Sequence, residues 1–152
     1  MLVLVKQSHQ DLLTRLKTIP GIGPKTAIML VVLTGGFDRF TSAAELCRYA
    51  GLTPVIRQSG GSVKGRPRIS KIGSQKLRNL LFMCSFNACC TCLLAGRYNK
   101  ACRDLYKRIV AKGKSKKLAL IAVCNKLLKQ AFAIAKSGLI YDKEYKSTLV
   151  RN

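Results

Sequence analysis

The segment TIPGIGPKTA at residues 18–27 constrains the fold most, because it places two prolines and two glycines between two apolar stretches. Proline removes a backbone donor and glycine loses the most chain entropy on folding, so neither is stable inside a helix. Gly21 and Gly23 can take positive φ angles, and Pro24 suits the first turn of a new helix. We therefore predict a tight turn between two helices, with bare backbone N–H groups that would suit an anion.

Capping and termination signals divide most of the remaining chain into helices. The first is expected to start at Ser8, in a capping box with Asp11, and to run through about Thr18. The other expected helices are residues 25–34, 43–50 after a Ser42–Glu45 capping box, 75–94, 99–112 and 116–136. The predicted fold class is therefore mainly α, a compact helical domain with one long loop in the middle.

That loop, TPVIRQSGGSVKGRPRISKIGS at residues 53–74, has no helical period and holds four glycines and two prolines. We predict irregular structure with a short β-hairpin around RPRIS. No Asp or Glu occurs from residue 46 to residue 103. The cations of the loop and of the helix after it are Arg57, Lys64, Arg66, Arg68, Lys71, Lys76 and Arg78. We expect this loop to become ordered on a phosphate backbone.

The charge balance points to a polyanionic partner. The 152 residues include 28 Lys and Arg against 6 Asp and Glu, which gives a formal net charge of +22. A folded domain this basic repels itself unless a polyanion neutralises it, so DNA or RNA is the leading expectation. A ribosomal or membrane-surface role and a merely solvated basic surface are the alternatives.

Cysteine usage and the longest apolar run favour a cytoplasmic protein that does not span a membrane. Seven cysteines follow no regular framework, and the start MLVLVK reaches Lys6 before an apolar signal region could form. The uncharged run 80–96 is predicted to be a core helix, since it is shorter than the ~20 residues of a membrane span. Cys89 and Cys92 lie in this run, which favours core thiols over a zinc or redox site.

No metal site is expected within the chain. A two-metal nuclease needs several carboxylates that converge on Mg²⁺, whereas the six acidic residues here are scattered along the sequence. The single histidine, His9, is predicted to lie at the surface.

The segment LKTIPGIGPKTAIML resembles a helix-hairpin-helix element. Such elements hold phosphates through the backbone N–H groups of a glycine hairpin without reading bases. The resemblance implies DNA contacts from Gly21, Ile22, Gly23, Lys25 and Thr26. The alternative is a structural turn between two helices that binds no ligand.

A wider resemblance rests on the order of four segments. The PGIG hairpin is followed by FDRFTSAAELCRYAGLTP, then RQSGGSVKGRPRISKIGSQKLRNLLF, then KGKSKKLALIAVCNKLLK. From about Leu12 to Tyr141, this succession closely resembles the C-terminal domain of the DEDD-type insertion-sequence transposases, the Piv invertase-like family. The resemblance implies one domain over residues 1–152, with the helix-hairpin-helix at about 8–34, the basic loop at about 53–74 and a helical remainder at 75–141.

The resemblance also implies a catalytic residue. The serine of the family's SG motif corresponds to Ser59, the expected nucleophile on a DNA phosphodiester, which would give a covalent phosphoserine link. On residue chemistry alone, Ser-Gly-Gly is most often a flexible turn. The DNA contacts expected around Ser59 are Arg57, Gly60, Lys64, Arg66, Arg68, Lys71 and Arg78.

Full-length members of the family join this domain to an N-terminal RuvC-like domain with four metal-binding acidic residues, which we expect this sequence to lack. Mg²⁺ is therefore expected only with that domain, supplied on another chain. The other expected partners are DNA, a structured guide RNA and further copies of the chain, with no membrane. We expect a truncated or split transposase that binds nucleic acid without recombining it alone. A non-catalytic nucleic-acid-binding regulator and a basic ribosomal or RNA-packaging protein are the competing interpretations.

Overall fold

The computed structural model describes residues 9–55, 58–59, 63–64, 68–90 and 98–144, with backbone alone at 58, 59, 63, 64 and 90. The helices are α1 Gln10–Leu16, α2 Pro24–Thr34, α3 Ala43–Tyr49, α4 Gln75–Cys90, α5 Lys100–Ala111 and α6 Lys116–Ser137. The strands are β1 Pro54–Val55, β2 Gln58–Ser59, β3 Val63–Lys64 and β4 Arg68–Ile69. The predicted mainly-α fold is confirmed.

Two details of the helix starts differ from the sequence prediction. The N-cap of α1 is His9, whose side chain makes no capping hydrogen bond, so the predicted box with Asp11 is wrong. Ser8 lies outside the described residues. Asp11 still falls in the first turn, where a carboxylate stabilises the positive end of the helix dipole. Gly23, the N-cap of α2, has an extended φ of −83°, so only Gly21 of the two hairpin glycines takes a positive φ.

The predicted Ser42–Glu45 capping box is confirmed, except that the Glu45 carboxylate bonds Thr41. The Ser42 hydroxyl accepts from the Glu45 N–H at 3.2 Å. The Glu45 carboxylate in turn accepts from the Thr41 N–H at 2.9 Å. That backbone hydrogen bond is the main cause that lowers the pKa of Glu45.

Helix α6 forms the centre of the core and contacts α1, α3, α4 and α5. Eight of its residues are buried: Ala119, Leu120, Val123, Cys124, Leu127, Leu128, Ala131 and Ile134. Its length and apolar composition would also suit a membrane span. Because its buried residues pack against four other helices, we assign it as the central core helix. Helix α4 confirms the predicted core helix as far as Cys90, and residues 91–97 lie outside the described chain.

Three contacts fix how α4, α5 and α6 run relative to one another. Ser85 of α4 and Cys124 of α6 form a hydrogen bond. Further along both helices, the Asn99 N–H donates to the Ala88 carbonyl at 3.2 Å, and its side chain donates to Gln130 at 2.8 Å. The contacts advance along α4 and α6 in the same direction, so these two helices run parallel. Helix α5, joined to α6 by a short turn, runs antiparallel to both.

This three-helix unit has two distinct ends. The N-termini of α4 and α6 lie at one end, which also receives the strands through residues 68–74. The C-termini of α4 and α6 lie at the other end, where Gly21 of the hairpin packs against Ala88. We call these the arm end and the hairpin end.

The four strands form two nested antiparallel ladders, which we call the β arm. Pro54 and Val55 pair with Ile69 and Arg68, and inside that span Gln58–Ser59 pair with Val63–Lys64. Two residues separate β1 from β2 and three separate β3 from β4, so the ladders differ in register by one residue. A hairpin was predicted around RPRIS. Arg68 and Ile69 do form a strand, but its partner lies at residues 54–55 and not within RPRIS.

Candidate nucleic-acid interface

The first half of the hairpin belongs to the core. Gly21 has φ +100°, and a Cβ at this position would lie 2.7 Å from the Ala88 Cβ. Ile22 is buried, and its N–H donates to the Ile19 carbonyl at 3.0 Å. Glycine at position 21 is therefore required by the contact with α4. Of the five predicted DNA contacts in the hairpin, Gly21 and Ile22 have a structural role.

The second half of the hairpin faces outward. Gly23 and Lys25 are exposed, and open space surrounds Gly23. In the described chain, the N–H groups of Gly23, Lys25 and Thr26 have no backbone acceptor, as expected for a first helical turn. Thr26 is half-buried, and its hydroxyl accepts from the Cys84 thiol at 3.7 Å. The accessible part of the predicted phosphate grip is thus Gly23, Lys25 and the start of α2.

The base of the β arm is clasped to the C-terminus of α3. The Arg78 guanidinium donates to the Ala50 carbonyl at 3.1 Å, and the Ser74 N–H donates to the Tyr49 carbonyl at 2.8 Å. Gly73 has φ +133°, and a Cβ there would overlap the Tyr49 carbonyl oxygen. The bond to Ala50 gives Arg78 a structural role, and its predicted contact with DNA stays a prediction.

Three other predicted cations near the arm base are exposed. They are Arg68 on β4, Lys71 in the turn that follows and Lys76 in the first turn of α4. Lys71 takes a left-handed φ of 57°, held by a 3.2 Å hydrogen bond from its N–H to the Gly51 carbonyl. A non-glycine residue in this region is uncommon and persists only where its surroundings fix it.

The remaining arm residues are described only in part. For Ser59 and Lys64 the backbone is placed, in β2 and β3. Arg57, Gly60 and Arg66 lie outside the described residues.

The two predicted DNA-binding sets lie at opposite ends of α4. Arg78 marks the arm end and Ala88, which contacts Gly21, marks the hairpin end. Ten helical residues at 1.5 Å each separate these positions by about 15 Å along the helix axis. The structure thus groups Arg68, Lys71 and Lys76, and it keeps the hairpin apart from them.

The chain matches a known protein family over more than half of its length. The model of the transposase IS116/IS110/IS902 family matches residues 13–106, which take in the hairpin, the β arm and α4. The chain belongs to this family. The predicted family resemblance is confirmed.

Curated relatives support the same assignment. The pilin gene-inverting protein of Moraxella lacunata is 40% identical over 128 residues, covering 84% of this chain and 38% of the relative. An insertion element IS110 uncharacterized 43.6 kDa protein of Streptomyces coelicolor is 32% identical over 127 residues, covering 84% and 29%. A putative transposase, y4pF/y4sB, of Sinorhizobium fredii is 31% identical over 131 residues, covering 84% and 32%. The chain therefore spans about two fifths or less of each of these relatives.

The carboxylates of this transposase-family chain do not converge. Within the described residues, no group of three or more His, Cys, Asp or Glu side chains could hold a metal ion. Glu144 pairs with Lys100 at 3.6 Å, and Glu45 caps α3. His9 is half-buried beside Gly36 and not fully at the surface as predicted. The described residues do not fit a Mg²⁺ site.

The cysteines of the described chain are core thiols. Cys47, Cys84, Cys89, Cys102 and Cys124 are buried. Burial raises the pKa of the Cys102 thiol to about 12 and that of Cys124 to about 11. Thiols with such pKa values stay protonated near neutral pH and are poor nucleophiles and metal ligands. The prediction of core thiols is confirmed for these five, and Cys92 lies outside the described residues.

One cation near the arm end was not predicted from the sequence. The Arg39 guanidinium carbon lies 5.4 Å from the ring centres of both Phe40 and Tyr49, and Arg39 donates to the Leu33 carbonyl at 3.2 Å. Arg39 therefore caps the C-terminus of α2, where cations are stabilised by the helix dipole. The sequence shows an arginine next to Phe40 and near Tyr49. The contact of Arg39 with both rings depends on how α3 packs, which the sequence does not show.

Proposed function

We propose that this chain is the DNA-binding, serine-bearing part of an insertion-sequence transposase, acting in DNA transposition or site-specific recombination. Its family membership supports this, as do relatives named as a transposase and a gene-inverting protein. The net charge of +22 suits a polyanionic substrate.

The construction of the β arm carries this proposal. Ser59 belongs to β2, in the inner ladder, while the outer ladder joins the helices through bonds at Arg78 and Ser74. An arm fixed at its base can hold a nucleophile at a defined position, which favours reaction over a freely moving loop. Arg68 and Lys71 beside the base would bind phosphates and orient the strand.

The proposed chemistry is nucleophilic substitution at phosphorus. A bond forms between the Ser59 oxygen and the phosphorus, and the bond from that phosphorus to a deoxyribose oxygen breaks. The proton of the serine leaves to a base, and the departing oxygen gains one. We assign Mg²⁺ and the base to a RuvC-like domain outside the described residues. Strand exchange between two DNA sites would also need several copies of the chain, and a structured guide RNA would select the sites.

The test is a covalent adduct assay on a denaturing gel. The purified chain is mixed with labelled element-end duplex, with and without a RuvC-like domain and Mg²⁺. We expect an adduct only in the presence of that domain, lost in Ser59→Ala and kept in Ser62→Ala, the matched serine of the same loop. An adduct that persists in Ser59→Ala would refute the assignment of the nucleophile. Salt-sensitive binding with no adduct in any mixture would support the non-catalytic binding module instead.

A further inference from the structure

The turn between α5 and α6 carries a second basic surface, which we call the lysine corner. Between residues 107 and 117, six of eleven residues are cations and none is acidic. All six are exposed: Lys107, Arg108, Lys112, Lys114, Lys116 and Lys117. This density exceeds that of the described part of the β arm.

The lysine corner has a defined backbone. The N–H groups of Gly113 and Lys114 donate to the carbonyls of Val110 and Ile109 at 2.9 and 3.4 Å, which closes the end of α5. The Ser115 hydroxyl accepts from the Leu118 N–H at 3.3 Å and caps α6. The lysines therefore project from a fixed turn between two packed helices.

The charges of this surface are not neutralised within the described chain. The acidic residue nearest in sequence is Asp104, and it forms no ion pair with another described residue. The one ion pair among the described residues joins Lys100 to Glu144, at the start of α5 and thus at the hairpin end. Clustered cations repel one another unless an anion lies between them.

The direction of the helices brings the lysine corner to the arm end. Ser85 and Cys124 are in contact, and α4 and α6 run parallel from their N-termini. Gln75 lies ten residues before Ser85, about 15 Å along the axis, and Lys116 lies eight residues before Cys124, about 12 Å. The first turns of the two helices are thus nearly level. Lys76 and the base of the β arm share this end with the lysine corner.

We propose that the lysine corner and the arm base together form one face that binds the phosphate backbone of duplex DNA. This inference rests on the proposed function and adds a binding surface outside the β arm and the hairpin. The fixed geometry of both clusters suits a rigid duplex with regularly spaced phosphates. Each cation that meets a phosphate releases a condensed counterion, so the contacts can be counted from the salt dependence of binding.

The experiment compares two triple variants of the 152-residue chain that lose equal charge. The corner variant is Lys112→Gln/Lys114→Gln/Lys117→Gln. The control variant is Lys129→Gln/Lys136→Gln/Lys143→Gln, three exposed cations on or beyond the far half of α6. Binding to a fluorescein-labelled duplex is measured by anisotropy over a range of salt. A labelled RNA stem-loop with the same number of phosphates provides the second probe.

We expect the corner variant to lose about two to three units of the slope of log K against log salt, and at least about tenfold in affinity at low salt. The control variant should keep the slope within about one unit. Equal losses of affinity and salt slope in the two variants would overturn the proposal, because binding would then depend on total charge and not on the lysine corner. Loss of stem-loop binding with duplex binding intact would overturn it in favour of RNA.

A third variant separates this inference from the proposed function. Arg68→Gln/Lys71→Gln alters only the arm base. If it weakens duplex binding while the corner variant does not, the inference fails and the DNA-binding role stands. If the unaltered chain does not bind duplex at all, the DNA-binding role fails as well. Should the corner variant melt early by circular dichroism, Lys112→Gln/Lys114→Gln leaves α6 intact and repeats the test.

Discussion

At the scale of single residues, Gly21 links the hairpin to the core and allows a sharp test. Gly21→Ala would place a methyl group 2.7 Å from the Ala88 Cβ and force a side chain into φ +100°. We expect a loss of about 2–4 kcal/mol in the free energy of unfolding. Urea denaturation followed by circular dichroism measures it.

The neighbouring glycine provides the control. Gly23 is the N-cap of α2, has open space around it and takes an extended φ. Serine is at least as good an N-cap as glycine, so Gly23→Ser should change stability by at most about 0.5 kcal/mol. Ala88→Gly in the Gly21→Ala background should restore part of the loss. If Gly21→Ala is neutral, the close contact with α4 is not formed.

Arg78 makes a second residue-scale prediction. Its guanidinium satisfies the Ala50 carbonyl, so Arg78→Gln should destabilise the fold by about 1–2 kcal/mol. Lys76→Gln, an exposed cation two residues earlier, should stay within about 0.5 kcal/mol. Thermal melts of both variants decide between a structural and a purely DNA-binding role. Equal melting temperatures for Arg78→Gln and Lys76→Gln would mean that the Arg78–Ala50 hydrogen bond does not stabilise the fold.

Gly21 and Arg78 show why residue type alone does not predict function. A basic residue beside a basic loop predicts phosphate contact, and Arg68 and Lys71 are indeed exposed. Arg78 looks the same in the sequence, but its partner Ala50 lies 28 positions away. The contact of Gly21 with Ala88 spans 67 positions. Local patterns do not encode such pairings.

At the scale of elements, helices were predictable where their end signals are local. The starts after Ser42, near Asn99 and at Lys116 agree with the structure, because caps depend on neighbours within one turn. The β arm was missed as a set of nested ladders. Pairing of Pro54 with Ile69 closes a long, glycine-rich segment and is set by distant contacts at its base.

The joint between α4, α5 and α6 gives an element-scale prediction. Asn99 is fully buried, and its side chain bonds the Cys102 N–H, Gln130 and the Tyr141 hydroxyl at 3.1, 2.8 and 3.0 Å. Asn99→Ala removes all three of these hydrogen bonds and leaves the buried Cys102 N–H without its cap, so it should cost about 2–4 kcal/mol. Denaturant unfolding measures the change.

Tyr141→Phe is the graded control for this joint. It removes one hydroxyl and keeps the ring, so we expect a loss of about 1 kcal/mol. The test is whether Asn99→Ala loses more free energy of unfolding than Tyr141→Phe. If Tyr141→Phe costs as much as Asn99→Ala, the network does not centre on Asn99.

At the scale of the whole molecule, the buried thiols predict a loss of stability at alkaline pH. Burial raises the pKa values of Cys102 and Cys124 to about 12 and 11, so these groups keep their protons in the fold and lose them in the unfolded chain above about pH 9. The unfolded state then binds fewer protons, and the free energy of unfolding falls as pH rises. The effect is absent below about pH 8.

The measurement is the unfolding midpoint in urea between pH 8 and pH 10. Cys102→Ala/Cys124→Ala should flatten the decline, although its stability at pH 7 is lower because the core loses volume. Tyr141, whose pKa burial also raises, contributes in the same direction at the upper end of the range. An unchanged slope in the double variant would mean that other groups cause the decline.

The whole-molecule assignment was accessible from the sequence, whereas the layout of the surface was not. The order of four segments identified the family, and charge indicated a polyanion. The separation of the hairpin from the β arm by the length of α4 depends on how the helices pack. So does the position of the lysine corner, since a parallel or antiparallel α6 would fit the same sequence pattern.

The hydrogen bond from the Tyr141 N–H to the Thr18 hydroxyl, at 2.9 Å, joins positions 123 residues apart. Together with the approach of Arg15 to Gly138, it brings α1 beside the segment that follows α6. Surface positions of this kind tolerate circular permutation and domain insertion best. New ends opened after α4, with a linker from Glu144 back to His9 that spans the length of α1, would leave the arm end untouched.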